Sequence, residues 1–233
     1  NVATTKKKHA RVQALAIDDK RARLLDAALD LFESQGFDAV AVPEIARKAR
    51  VATGTIYRYF KTKEELVNAL YRHWKSAYNE QILGPVPEGL NAREIFSLYW
   101  RRMAEFARKY YRAVRFLDLH HHAHYLDAES RAMERIYMDT ARAFMEEGRK
   151  SGTLRDLDPA LVVALMWGAT AGLNKFVHDG TLVFNEATSH AMEDALWRAV
   201  TAEATIQQKS LKGNKHGTEK KRRGADRSRN RRV

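Results

Sequence analysis

Between Asp19 and Gly36 the apolar residues fall at Leu24, Leu25, Ala28, Leu29, Leu31 and Phe32, the stripe that a helix gathers onto one face. The same period returns along most of the 233-residue chain, and no stretch alternates convincingly with the period of two that a half-buried strand needs. Helix breakers are scarce, with 4 prolines and 12 glycines, so a few residues decide where each helix stops. The expected fold class is all-α.

The helix ends can be read individually. Gly36 suits the left-handed residue that closes a helix, with Phe37 folding back onto the last turn. Pro43 suits the first position of a second, short helix that buries Ile45, Ala46 and Ala49. A third helix is expected from Gly54 to Phe60. Thr62 and Glu65 then form a T-x-x-E capping box for a fourth, which runs through Leu66, Ala69, Leu70, His73, Trp74 and Ala77. The segment Gly84–Gly89 (GPVPEG) cannot stay helical and marks a boundary. Beyond it Asn91 and Glu94 repeat the capping pattern. Later helices are expected at about 110–122, 128–150, 159–178 and 186–203, with Asp158-Pro159 as a start and Gly152 and Gly180 as stops.

Charge divides the chain further. The net charge is +12, but residues 207–233 carry eleven Lys and Arg against Glu219 and Asp226, and residues 1–17 add Lys6, Lys7, Lys8 and Arg11 with no acid. Residues 18–206 are left at −1, so the basicity lies in two tails able to touch phosphate or simply to stay solvated. The expected parts are a basic N-terminal arm (1–17), two helical domains (18–80 and 81–206) and a disordered basic tail (207–233). With no cysteine, thiolate metal sites, disulfides and cysteine nucleophiles are excluded. There is no signal-peptide pattern and no run approaching 18 uninterrupted apolar residues, so a cytoplasmic protein without a membrane partner is expected.

The short helices after Pro43 and Thr53 have the proportions of a helix-turn-helix. In Thr53-Gly54-Thr55-Ile56-Tyr57-Arg58-Tyr59-Phe60, Ile56 and Phe60 can face the core while hydroxyls and a base face elsewhere. From Pro43 to Lys63 the bases are Arg47, Lys48, Arg50, Arg58, Lys61 and Lys63 against the single acid Glu44, a local +5 that suits a phosphate-lined groove.

These residues resemble a known family. The segment LLDAALDLFESQGFDAVAVPEIARKARVATGTIYRYFKTKEEL, within about residues 20–70, is similar to the N-terminal domain of the tetracycline-repressor (TetR) family of bacterial transcriptional regulators. The resemblance implies a three-helix helix-turn-helix domain followed by a helical domain that binds an inducer and dimerises. By position, Thr53, Gly54, Thr55 and Tyr57 match recognition-helix contacts, and Tyr59 and Lys63 match phosphate contacts. The full DNA-facing set expected is Pro43, Arg50, Thr53, Gly54, Thr55, Tyr57, Arg58, Tyr59, Lys61 and Lys63. This chain departs from the family pattern at three places. Ala41 stands where Thr is common, Arg50 where Gly is usual in the turn, and Ala52 where Ser is common, which leaves Thr53 to cap the recognition helix.

Two features mark the second half. Ala164, Gly168 and Gly172 fall at i, i+4, i+8 on one helix, and Ala187, Ala191, Ala195 and Ala199 do so on the next. Such ridges let helices approach closely, across a dimer axis as the resemblance implies, or within one subunit. The other feature is the run His120-His121-His122-Ala123-His124. It admits a metal reading through His120 and His124 at helical spacing, a role in an inducer pocket, or ordinary structure. The candidate pocket residues are Tyr99, Trp100, Met103, Phe116, His120, His124, Tyr137 and Trp167. No GxSxG, GxGxxG or Walker-type loop is present, so no enzyme and no cofactor are expected. The expected function is a sequence-specific regulator, released from a palindromic operator by a small apolar or aromatic ligand. The alternatives are a metal-responsive regulator and a nonspecific nucleic-acid-binding protein acting through its tails.

Overall fold

A computed structural model describes residues 2–120 and 124–202, with side chains from Asp19 onward. Nine helices make up the described residues: α1 (Val2–Gln35), α2 (Val42–Lys48), α3 (Thr53–Tyr59), α4 (Lys63–Ile82), α5 (Ala92–Lys109), α6 (Tyr111–His120), α7 (Ala128–Lys150), α8 (Pro159–His178) and α9 (Glu186–Val200). The all-α expectation holds. Among these residues the strand-like pairing is one isolated bridge between Leu154 and Thr201. That bridge, with Ala202 N–H donating to the Thr153 carbonyl, ends α9 at Val200 rather than at residue 203.

Most helix ends lie where local chemistry puts them. Gly36 is left-handed at φ 80° and donates its N–H to the Phe32 carbonyl, while the Phe37 ring returns to 5.7 Å from that of Phe32. Thr62 Oγ1 accepts from Glu65 N–H at 3.1 Å, and Glu65 reaches back to Lys61 N–H. Asn91 and Glu94 form the reciprocal capping box at 3.1 and 2.8 Å. α1 begins at Val2, so from residue 2 the stretch expected as an arm already follows the helical path. No proline or glycine lies before Gly36 to interrupt it. The basic tail expected at 207–233 lies outside the described residues.

The chain divides into two compact units. The first holds Asn1–Val86, Arg101–Tyr137 and Thr170–Leu182, and its core gathers Leu24, Phe32, Ile45, Ile56, Leu66, Tyr71, Phe106 and Phe116. Within it α4 meets α7 along a polar seam. Asn68, buried at 3% exposure, uses its whole amide: Nδ2 donates to the Glu64 and Tyr125 carbonyls, and Oδ1 accepts from Asp127 N–H and Ser130 Oγ, each at 2.8 Å. Arg72 pairs with Asp127 at 2.7 Å and Lys75 with Glu134 at 2.9 Å. Burial alone would raise the Asp127 carboxyl, but hydrogen bonds from Ser130 and Arg72 hold it below the ordinary carboxylate range. Arg102 closes the other end of α4, donating to the carbonyls of Ile82, Gly84 and Pro85.

The described residues of the second unit are Pro87–Trp100, Met138–Ala169 and 183–202. Here Trp100, fully buried, donates Nε1 to Ser189 at 3.1 Å, and Arg93 bridges Glu193 and Asp194 beside the Trp197 ring. Among the described residues, α8 is long and apolar enough to cross a membrane by length and composition.

Candidate nucleic-acid interface

The turn between α2 and α3 is built from backbone first. After Lys48 the chain closes α2 through Ala49, and Val51 N–H reaches the Ala46 carbonyl while Arg50 N–H reaches that of Arg47. This double bond pattern needs a left-handed residue at its centre, and Arg50 takes that role at φ 54°. Among the described residues it is the non-glycine residue with positive φ, at a local cost of roughly 1 kcal/mol.

Both short helices start without a side-chain cap. α2 begins at Val42 behind Ala41, so Pro43 stands second rather than first. Either place tolerates proline, because the first N–H groups of a helix have no partner within it. For α3 the structure corrects the expected cap. Ala52, extended at φ −64°, ψ 141°, is the N-cap, its carbonyl accepts from Thr55 N–H, and Thr53 is already helical. A residue inside the first turn cannot cap that turn.

The split of α3 is sharp. Ile56 and Phe60 are 1% and 4% exposed, while Tyr57 is 50% exposed. Thr53, Gly54 and Arg58 are exposed with it, as are Pro43, Arg50 and Lys61, and Thr55, Tyr59 and Lys63 are half-buried. The Arg21 guanidinium lies over the Phe60 ring at 5.7 Å, fixing the end of α3 to α1. Lys63 Nζ sits 4.3 Å from the Phe37 ring centroid and donates to the Asp38 carbonyl, so its ammonium is held at the root of α4. The expected DNA-facing residues therefore lie on the start of α2, the turn after it, α3 and the start of α4.

The expected pocket residues are divided between the two units. Met103, Phe116, His120, His124 and Tyr137 belong to the first unit, and Tyr99, Trp100 and Trp167 to the second. Within the first unit the Tyr137 hydroxyl approaches Met103 Sδ at 3.6 Å, and its ring lies 5.9 Å from that of Tyr78. Phe116 and His120 turn instead towards α1, where the His120 ring stands 4.5 Å from Phe116 and 6.5 Å from Phe32. Trp100, Met103, Phe116 and His120 are buried, Tyr99, Tyr137 and Trp167 half-buried, and His124 exposed.

The helical pairing of His120 with His124 is not what forms. α6 ends at His120 and His124 lies in a turn, so the i, i+4 geometry is lost. His120 Nδ1 is engaged by the Tyr125 hydroxyl, and among the described residues no group of three ligands could hold a metal. His121 and His122 lie outside the described residues. Burial pushes the His120 imidazole below its ordinary 6.5, partly offset by the Phe32 backbone. Burial, with a contribution from Asp38, pushes the Tyr125 phenol up to about 12. Sequence reasoning missed Asn68, Lys75 and Glu134, whose only signal is polarity on helix faces that turn out to meet.

Residues 24–70 match the family described as "Bacterial regulatory proteins, tetR family", and residues 72–202 match "Tetracyclin repressor-like, C-terminal domain". The second match alone covers more than half of the chain. The chain belongs to the TetR family of bacterial transcriptional regulators. TetR-family proteins are DNA-binding regulators and not enzymes, and this chain carries the family's helix-turn-helix. The fatty acid metabolism regulator protein of Bacillus subtilis is 25% identical over 152 residues, covering 64% of this chain and 78% of that protein. A TetR family regulator from Marinobacter aquaeolei superposes with a TM-score of 0.72 at 20% identity, covering 80% of this chain and 97% of that one. FadR from Bacillus subtilis, solved in complex with stearoyl-CoA, does so with a TM-score of 0.60 at 23% identity, covering 75% and 96%.

Proposed function

We propose that this TetR-family regulator acts as a repressor, binding a pseudo-palindromic operator as a homodimer in the cytoplasm and leaving it when a small apolar or aromatic ligand binds. The observation that carries the DNA reading is the split of α3, with Ile56 and Phe60 in the core and Tyr57 half in solvent. Thr53, Gly54, Thr55 and Tyr57 are assigned to base edges. Pro43, Arg50, Arg58, Tyr59, Lys61 and Lys63 are assigned to the phosphates beside them.

The dimer reading draws support from α8 and α9. Ala164, Gly168, Ala187, Ala191 and Ala195 are exposed, Gly172 and Ala199 are half-buried, and a Cβ on Gly168 or Gly172 would meet nothing within 4 Å. Leu161 and Leu165, exposed at 55% and 41%, lie in the same stretch of α8. A second copy would cover this surface. The ligand reading draws support, within the first unit, from the half-buried Tyr137 and its contact with Met103, and a long acyl chain is the first ligand suggested by the fatty acid regulator and FadR.

Selection of bound duplexes from random DNA tests the core of this reading. The expected product is a palindrome with half-sites about one helical turn apart or slightly more. Stearoyl-CoA and aromatic carboxylates, added in turn, are expected to raise the melting temperature and release the selected duplex. A pool without symmetry would overturn the proposal.

A further inference from the structure

Asp30, on α1, is held by two cations from distant parts of the chain. Lys48 Nζ, at the end of α2 in the helix-turn-helix, stands 3.2 Å from Oδ2, and Arg112 Nη1, in the first turn of α6, bonds Oδ1. All three line one cleft of about 630 Å³ that also includes Arg50 of the turn. Three residues further along α1, Glu33 takes Arg115 at 2.7 Å, a second tie between α1 and α6 that does not reach α2.

We propose that Arg112 is a positioning residue for DNA binding, acting through Asp30 on Lys48, so that α6 helps set how α2 and α3 meet the duplex. This rests on the reading of α3 as the recognition helix. With one cation on each oxygen, the plane of the Asp30 carboxylate is fixed from both sides, and withdrawing Arg112 frees it to turn away from Lys48. α2 has only 7 residues, anchored by Ile45, Ala46 and the Arg23 guanidinium on the Ala49 carbonyl, so few other restraints hold its charged end. The side chains of Asp30, Lys48 and Arg112 are 30%, 41% and 61% exposed, so neither ion pair alone carries much stability. What they supply together is register between α2 and α6.

Because Lys48 and Arg112 are linked through one carboxylate, the test is a three-residue cycle in the full chain on the selected duplex. Lys48→Met and Arg112→Met should each weaken binding about three- to tenfold. The double variant should be no weaker than the stronger single one, and in an Asp30→Asn background the Arg112→Met effect should vanish. Asp30→Glu, which keeps a carboxylate for both cations, should retain affinity. Arg115→Met removes the neighbouring tie and should combine additively with Lys48→Met. Additive losses for Lys48 and Arg112 would overturn the proposal. So would an Arg112→Met effect that persists without Asp30 and makes the salt dependence shallower, since that marks a direct phosphate contact. Tyr57→Ala on the same duplex separates the two readings: full affinity there would remove the recognition-helix assignment itself, whatever the cycle shows.

Discussion

Lys75 Nζ on α4 lies 2.9 Å from Glu134 Oε1 on α7, with 6% of the lysine side chain exposed. The Tyr71 hydroxyl donates to the same carboxylate oxygen, and burial with that contact pushes the phenol far above its ordinary range. A buried ion pair has little net worth against apolar replacements, but removing one partner strands the other. Glu134→Gln is therefore expected to cost about 3 kcal/mol or more, because a cation stays buried. Lys75→Met with Glu134→Gln should recover most of it, since Gln still accepts from Tyr71. Urea unfolding of the two singles and the double checks this, and equal losses in all three would contradict it.

Arg50 holds a left-handed conformation that glycine adopts without strain. Arg50→Gly should gain roughly 1 kcal/mol of stability. On the proposed operator it should also weaken binding and make the salt slope shallower by about one unit per subunit, for one lost phosphate contact. Denaturation midpoints and a salt titration read the two effects separately.

His120 carries the pH prediction. Its imidazole is held below the ordinary 6.5 by burial, so on acidification the unfolded chain takes up its proton first. The stability linked to the neutral ring is thus present above about pH 6.5 and is lost as pH falls from there towards the lowered folded value. Melting temperatures between pH 8 and 5, compared with those of His120→Gln, should show a steeper acid decline for the native residue. Parallel curves would exclude it.

On the recognition surface, Tyr57→Ala should abolish preference for the selected palindrome with little change in melting temperature, because half of Tyr57 is already in water. Lys63→Ala should lower affinity for all duplexes and make the salt slope shallower by about one unit per subunit. It should also cost about 0.5–1 kcal/mol of stability through the lost Phe37 contact. Unchanged affinity in both would remove the assignment of these residues.

Gly168→Leu places a large side chain where a Cβ now meets nothing within its own chain. The isolated fold should tolerate it, while close approach of a second copy should not, at a cost of roughly 1–3 kcal/mol. Sedimentation at micromolar concentration should then show monomer, with operator binding weakened in parallel. A stable dimer would place the seam elsewhere.

What was legible in the sequence is what one turn of backbone decides. Gly36 ending α1, the Thr62–Glu65 and Asn91–Glu94 caps, the break at GPVPEG and the apolar side of α3 all depend on residues three or four apart, whose energies do not wait for the rest of the chain. The family resemblance sits in this same local stretch. Tertiary structure decided what needs two distant faces to meet. Polar residues spaced along α4 read as solvated until α7 covers them, turning Asn68, Arg72 and Lys75 into partners of residues more than fifty positions away. The histidine run suggested a helical ligand pair, but His124 lies in a turn after α6, and among the described residues no group of three ligands assembles. Nothing in the sequence around Asp30 sets it apart from the other acids of α1. Only the approach of α2 and α6 to α1 makes it a bridge, because an ion pair is set by which helices pack together and not by the spacing within either of them.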